Sequence, residues 1–252
     1  MDAVSRPVSS VLLRDFRVGP ETAVPELQQD EIHVWRTRLE DEPEEVERFR
    51  RILSPDELER AQRFRFDTNR NEYVASRGIL RNLLASYLSA LPQELNFVYS
   101  QYGRPSLAGV KLAVTLNFNV AHSGQMALFA FAHGRRLGVD VEQVRRDFST
   151  GEIADRFFSL AERAALRQLP QEERHEAFFR CWTRKEAFIK ALGEGLSHPL
   201  DRFDVSLRPD ESAALLATRP DASEARNWIM WDVPVPNGYA AALTAESHRG
   251  TR

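Results

Sequence analysis

The sequence predicts an α+β fold built by internal duplication: a pseudo-twofold pair of similar α/β subdomains, with a site in the cleft between them. Three observations predict it. The helix-start signature Ser54–Glu57 recurs as Ser159–Glu162, 105 residues later; in such a box serine and glutamate each cap the other's free backbone N–H. A strand around Phe97 is answered by one around Phe203, 106 residues on. A long apolar-faced helix from Asn69 to Ala90 is answered by one from Glu176 to Leu192, and agreement at one period across several elements is the mark of a repeat. The division falls between residues 134 and 135, giving subdomains 1–134 and 135–252.

The elements follow in order. Residues 1 to 30 read as irregular lead-in, punctuated by Pro7, Gly19-Pro20 and Pro25. Ile32 to Trp35 alternates as a short strand, and the acidic run Glu40 to Glu47 separates it from the first helix start. There Ser54 is the cap, Pro55 the first helical residue and Glu57 the box partner. Pro92 ends the long helix, Phe97 to Tyr99 is a strand, Tyr102-Gly103-Arg104-Pro105 a turn, and Met126 to Ala132 a buried strand. Asn117 to Gly124 reads as a polar turn before that strand. In the second copy Gly138 to Glu142 is a strand, and Ala240 to Leu243 closes the sheet. The polar end from Glu246 to Arg252 is expected to fray.

Composition narrows the functional classes. At 42% hydrophobic and 28% charged residues the chain can bury a sizeable core. Its net charge of −3 gives no general attraction for nucleic acid or an anionic membrane. No stretch approaches the roughly 20 apolar residues of a membrane span, and the first residues lack a signal-peptide core. Cys181, the single cysteine, has no partner for a disulfide or zinc cluster and sits in a helical stretch as a small core residue. A reducing cytoplasm fits this composition, and no Walker loop, dinucleotide fingerprint or serine-nucleophile elbow is present.

The chemistry concentrates in a few places. On a strand, Asp140 and Glu142 project from one face. Carboxylates so placed repel unless a cation joins them, and oxygen-only ligands suit Mg²⁺; taken alone, the tripeptide equally fits a strand end entering solvent. The duplication offset maps Asp140 onto Trp35 and Glu142 onto Thr37, so the acids belong to the second copy only. Trp182, Glu186 and Lys190 lie at i, i+4 and i+8, with Lys185 beside them. Glu186 is a third metal ligand or half of an ordinary helix-surface pair with Lys190. Arg104 in its turn offers a donor fork to phosphate, and His122 either binds phosphate or serves the turn structurally. Arg63, Arg65, Arg70 and Arg77 are either a phosphate-facing cluster or solvated surface.

Gly138-Val139-Asp140-Val141-Glu142 and Trp182-Thr183-Arg184-Lys185-Glu186-Ala187-Phe188-Ile189-Lys190 together resemble the two signature motifs of the 4′-phosphopantetheinyl transferase superfamily. Tyr102 to Pro105, Asn119 to Ser123 and the doubling resemble its two-domain, Sfp-type branch. The resemblance implies transfer of phosphopantetheine from coenzyme A to a serine of an acyl or peptidyl carrier protein, in the cytoplasm, by a monomer. It implies Mg²⁺ on Asp140, Glu142 and Glu186, catalysis by Glu186 and Lys190, and coenzyme A contacts from Arg104, His122, Lys185, Lys190, Arg63 and Arg77. Ala121 departs from the serine often found before the histidine, which removes one hydroxyl contact to the 3′-phosphate. A binding module without catalysis and a Mg²⁺-dependent diphosphate hydrolase are the competing classes.

Overall fold

Alternation along the strands decides the layering. In the computed structural model, which describes residues 10–17, 24–39, 42–109, 116–147, 149–195 and 198–247, the first half contains strands β1 (Ser10–Asp15) and β2 (Glu31–Arg38) and helices α1 (Pro43–Arg50), α2 (Pro55–Gln62) and α3 (Asp67–Leu88). Strands β3 (Phe97–Tyr99), β4 (Pro105–Leu107), β5 (Leu116–Ser123) and β6 (Met126–His133) follow. The second half opens with β7 (Leu137–Gln143) and helices α4 (Thr150–Phe157), α5 (Leu160–Gln168) and α6 (Gln171–Leu192). It closes with β8 (Phe203–Val205), β9 (Leu215–Thr218), β10 (Trp228–Asp232) and β11 (Tyr239–Glu246).

The first main sheet has the order β1-β2-β6-β5 and the second β10-β11-β7. Setting β7, β10 and β11 beside β2, β5 and β6 gives the same arrangement twice, and α3 and α6 have the same length of 22 residues. The α+β duplication is therefore visible in topology. Strand β6 is apolar throughout and buried on both faces: Ala127, Phe129 and Phe131 meet α3, whereas Leu128, Ala130 and Ala132 meet the second sheet. Val139, Val141, Leu243 and Ala245 complete that middle layer, while Phe178, Phe188, Phe203 and Trp228 form the core under α6. Each large side chain so buried contributes about 1.5–3 kcal/mol.

Several expectations are corrected. The lead-in contains β1, which pairs in parallel with β2 from Ser10↔Glu31 to Asp15↔Arg36; residues 1–9 and 18–23 lie outside the described residues. The acidic run becomes α1, started by Pro43 with Glu44 and Glu45 at the positive end of the helix dipole. Asn117 to Ser123 is strand β5 rather than a turn, because polar residues at alternate positions face the neighbouring half instead of solvent. Glu246 does not fray: it ends β11 and receives the Arg136 guanidinium at 3.1 Å, while residues 248–252 lie outside the described residues. Among the described residues no helix is long and apolar enough to cross a membrane.

Candidate active site

Edge strands β5 and β7, from different halves, run beside each other without a backbone ladder. Side chains make the junction: Val139 N donates to Asn119 Oδ1 at 2.9 Å and Gln143 N donates to Ser123 Oγ at 3.1 Å. Neither Asn119 nor Ser123 was assigned a role from sequence; the signal was their alternate spacing on an otherwise apolar strand. Helix α6 then lies on β7. Gly138 permits this, since a Cβ there would stand 2.1 Å from Ala187 O and 2.4 Å from Ala191 N. With the backbones that close, Asp140, Glu142, Glu186 and Lys190 share one space.

Lys190 Nζ donates to Asp140 Oδ1 at 2.6 Å. Asp140 is 4% exposed, and its burial outweighs the attraction of Lys190, so its pKa is pushed up to about 7, with the charges of Glu142 and Glu186 adding to the rise. Glu186 is also raised, first by burial and then by Glu142, against the pull of Lys190. Glu142 Oε2 accepts from Ser123 Oγ at 2.7 Å. Asp140 Oδ2 and Glu186 Oε1 are buried with no hydrogen-bond partner. Such orphans cost about 1–3 kcal/mol each, so the arrangement is complete only with a further cation. Among the described residues no His, Cys, Asp and Glu already stand as a closed metal cage; Lys190 and Ser123 hold two of the acids instead. The donor set of carboxylate oxygens fits Mg²⁺.

Beside the acids, Tyr102, Arg104, Asn119, Glu186, Lys190 and Gly195 line a cavity of 420 Å³. Arg104 reaches across from the first half and donates to Lys190 O at 3.0 Å and Leu137 O at 3.3 Å, bracing the end of α6. His122, at the end of β5, has its pKa lowered by surrounding protein and by the charge of Lys190, so it is neutral at pH 7. A larger groove of 1070 Å³ runs between α6 and residues 233–241, with Arg146, Arg180, Glu172 and Glu176 on its walls and none of the clustered acids. Its size does not make it the chemical centre.

Three expected coenzyme A contacts lie elsewhere. Lys185 is fully buried and uses all three donors: Glu162 Oε1 at 2.8 Å, Leu200 O at 2.7 Å and Phe203 O at 2.8 Å. Its counterpart, the fifteenth residue of α3, is Arg81, which donates to the matching glutamate Glu57 at 2.6 Å and to Leu95 O at 3.0 Å. Lys185 is thus a structural strut repeated by the duplication, not a phosphate contact. Arg77 is spent on Glu57 at 2.7 Å and Tyr99 Oη at 3.0 Å, with Phe97 beneath it. Arg63 is exposed at the end of α2 and pairs with Glu59 at 2.5 Å. Cys181 is buried, and burial pushes its thiol far up, as an inert core residue requires.

Comparison with known proteins follows the same division. Residues 136–244 match the 4′-phosphopantetheinyl transferase superfamily, and residues 34–133 match the family described as 4′-phosphopantetheinyl transferase, N-terminal. The 4′-phosphopantetheinyl transferase HetI of Nostoc sp. is 39% identical over 87% of this chain and 90% of its own length. The 4′-phosphopantetheinyl transferase Sfp of Bacillus subtilis is 31% identical over 68% of this chain and 74% of its own. A solved Chronobacterium ammoniagenes ACPS–CoA complex aligns with 46% of this chain and 99% of its own, at 19% identity and a TM-score of 0.35. With HetI matched across nearly its whole length, and the acids of β7 facing Glu186 and Lys190 of α6, the chain belongs to the 4′-phosphopantetheinyl transferase superfamily.

Proposed function

We propose that this chain transfers the 4′-phosphopantetheine group of coenzyme A to a serine hydroxyl of an acyl or peptidyl carrier protein, with Mg²⁺ as cofactor. The observation that carries this reading is the pair of buried, unpartnered carboxylate oxygens on Asp140 and Glu186, next to Lys190 and a cavity of 420 Å³. The serine oxygen forms a bond to the phosphorus that bears pantetheine, the bridging P–O bond breaks, and adenosine 3′,5′-bisphosphate leaves.

Asp140, Glu142 and Glu186 are the residues that would hold Mg²⁺, which when bound neutralises the diphosphate. Lys190, released from Asp140, stabilises charge on the leaving phosphate. Glu186 has a raised pKa from burial and is the base at hand for the serine proton. Arg104 keeps its Nε–H for a nucleotide phosphate while its Nη groups brace α6. Neutral His122 contributes a hydrogen bond there rather than a charge. Positioning and charge stabilisation suffice for phosphoryl transfer, so no covalent intermediate on the chain is required.

Both halves of the site lie on one chain, which supports a working monomer; the lone buried cysteine supports a reducing cytoplasm. The test is intact-mass spectrometry of an apo carrier protein incubated with coenzyme A, Mg²⁺ and the chain, beside an EDTA control. Gain of one phosphopantetheine, lost with EDTA, is the expected result. No gain on acyl or peptidyl carriers, despite coenzyme A binding, would reduce the chain to a binding module. Release of bisphosphate without any carrier would make it a hydrolase.

A further inference from the structure

Trp182 has no role in the chemistry above, yet α6 carries Trp182, Glu186 and Lys190 along one edge. At the helical rise they stand about 6 Å apart in turn. Glu186 and Lys190 face the nucleotide-sized cavity. Across the acids lies a second cavity of 170 Å³, lined by Ser123, Glu142, Ile153, Phe178, Phe179 and Trp182, and no residue lines both. Its walls are aromatic and fixed: Trp182 stacks on Phe178 with centroids 5.9 Å apart and planes at 21°, and Phe157 meets Trp182 edge-on at 6.3 Å.

This order matches the order of groups in coenzyme A. On one side of the diphosphate is the nucleotide; on the other, one methylene away, is a carbon bearing two methyl groups. With the nucleotide in the larger cavity and the diphosphate at Glu186 and Lys190, the dimethyl carbon falls one helical turn back, at Trp182. We infer that the cavity floored by Trp182 binds the branched apolar head of the pantetheine arm. Holding that head directs the arm away from the nucleotide, so that the phosphorus between them faces the carrier's serine. The inference rests on the coenzyme A reading of the site.

The test compares coenzyme A with 3′-phosphoadenosine 5′-diphosphate, which keeps the nucleotide and both phosphates but lacks the arm. Affinities are measured by titration calorimetry on the full chain with Mg²⁺, for the native protein, Ile153→Trp, which fills the cavity from α4, and Trp182→Leu, which removes its floor. Both variants are expected to bind coenzyme A about tenfold more weakly, the ratio carried by burial of two methyl groups, and the armless nucleotide equally well. Unchanged affinity for the armless ligand doubles as the control for folding. Equal weakening of both ligands would make the cavity merely structural and overturn the inference. Unchanged coenzyme A affinity with a raised KM for the carrier would assign the cavity to the carrier and overturn it too. If the native protein binds neither ligand, the coenzyme A reading itself fails, before any variant is considered.

Discussion

Asp140 shows how burial sets a residue's chemistry. Its carboxyl titrates near 7 instead of 3.8, because losing water outweighs the ion pair with Lys190. Below pH 3.8 the carboxyl is protonated folded or unfolded and contributes nothing to the pH dependence; between 3.8 and about 7 only the native state keeps the proton. Metal-free protein should therefore gain stability, relative to Asp140→Asn, as pH falls from 7 toward 4. Denaturant melts of the two proteins across that range check this, and a gap that grows with rising acidity in the opposite sense would contradict the assignment. Mg²⁺ needs the carboxylate, so its affinity should fall over the same window. Lys185 provides the second case. Lys185→Met leaves Glu162 buried without its counter-charge and should cost about 3–5 kcal/mol of stability, with turnover per folded molecule within about twofold. A large loss of turnover at unchanged stability would return Lys185 to the substrate. The strand period revealed Asp140 and Glu142 from sequence alone, whereas the face of α6 on which Lys185 sits depends on what α6 packs against. The match of Lys185 to Arg81 by the repeat was the overlooked signal.

Among the elements, the contact of α6 with β7 positions everything else. Gly138 lets the helix backbone rest on the strand, and no rotamer relieves a clash with backbone atoms. Gly138→Ala is expected to cost at least about 2 kcal/mol and to separate Glu186 and Lys190 from Asp140, so that turnover falls by more than stability explains. Thermal melts beside transfer assays on the folded fraction would show this; native turnover would mean that the helix can shift without consequence. Capping boxes made the starts of α2 and α5 legible to the residue. Strand β1 and helix α1 were not legible. The first lacks turn signals and gains its partner only in the sheet, and the second is mostly charged, with only Val46 and Phe49 buried.

At the scale of the whole molecule, the halves share one apolar layer, in which Val34, Leu128 and Ala130 meet Val139, Val141 and Leu243. Separating them would return that surface to water. The chain should therefore unfold in one transition, with far-ultraviolet dichroism and tryptophan fluorescence changing together, and residues 1–134 or 135–252 alone should not fold cooperatively. Two resolved transitions would show the halves to be independent units.

The sequence by itself determined the repeat, the helix starts, the alternation that exposes two acids on one strand face and the spacing of Trp182, Glu186 and Lys190, because periodicity and capping are properties of neighbours along the chain. Only the tertiary structure decided that Asn119 and Ser123 join the halves, that Lys185 and Arg77 are spent on buried glutamates, and that Lys190 rests on Asp140. Those outcomes depend on which helix face meets which strand, and burial, which sets the charge of each carboxylate, arises only when distant segments exclude water together.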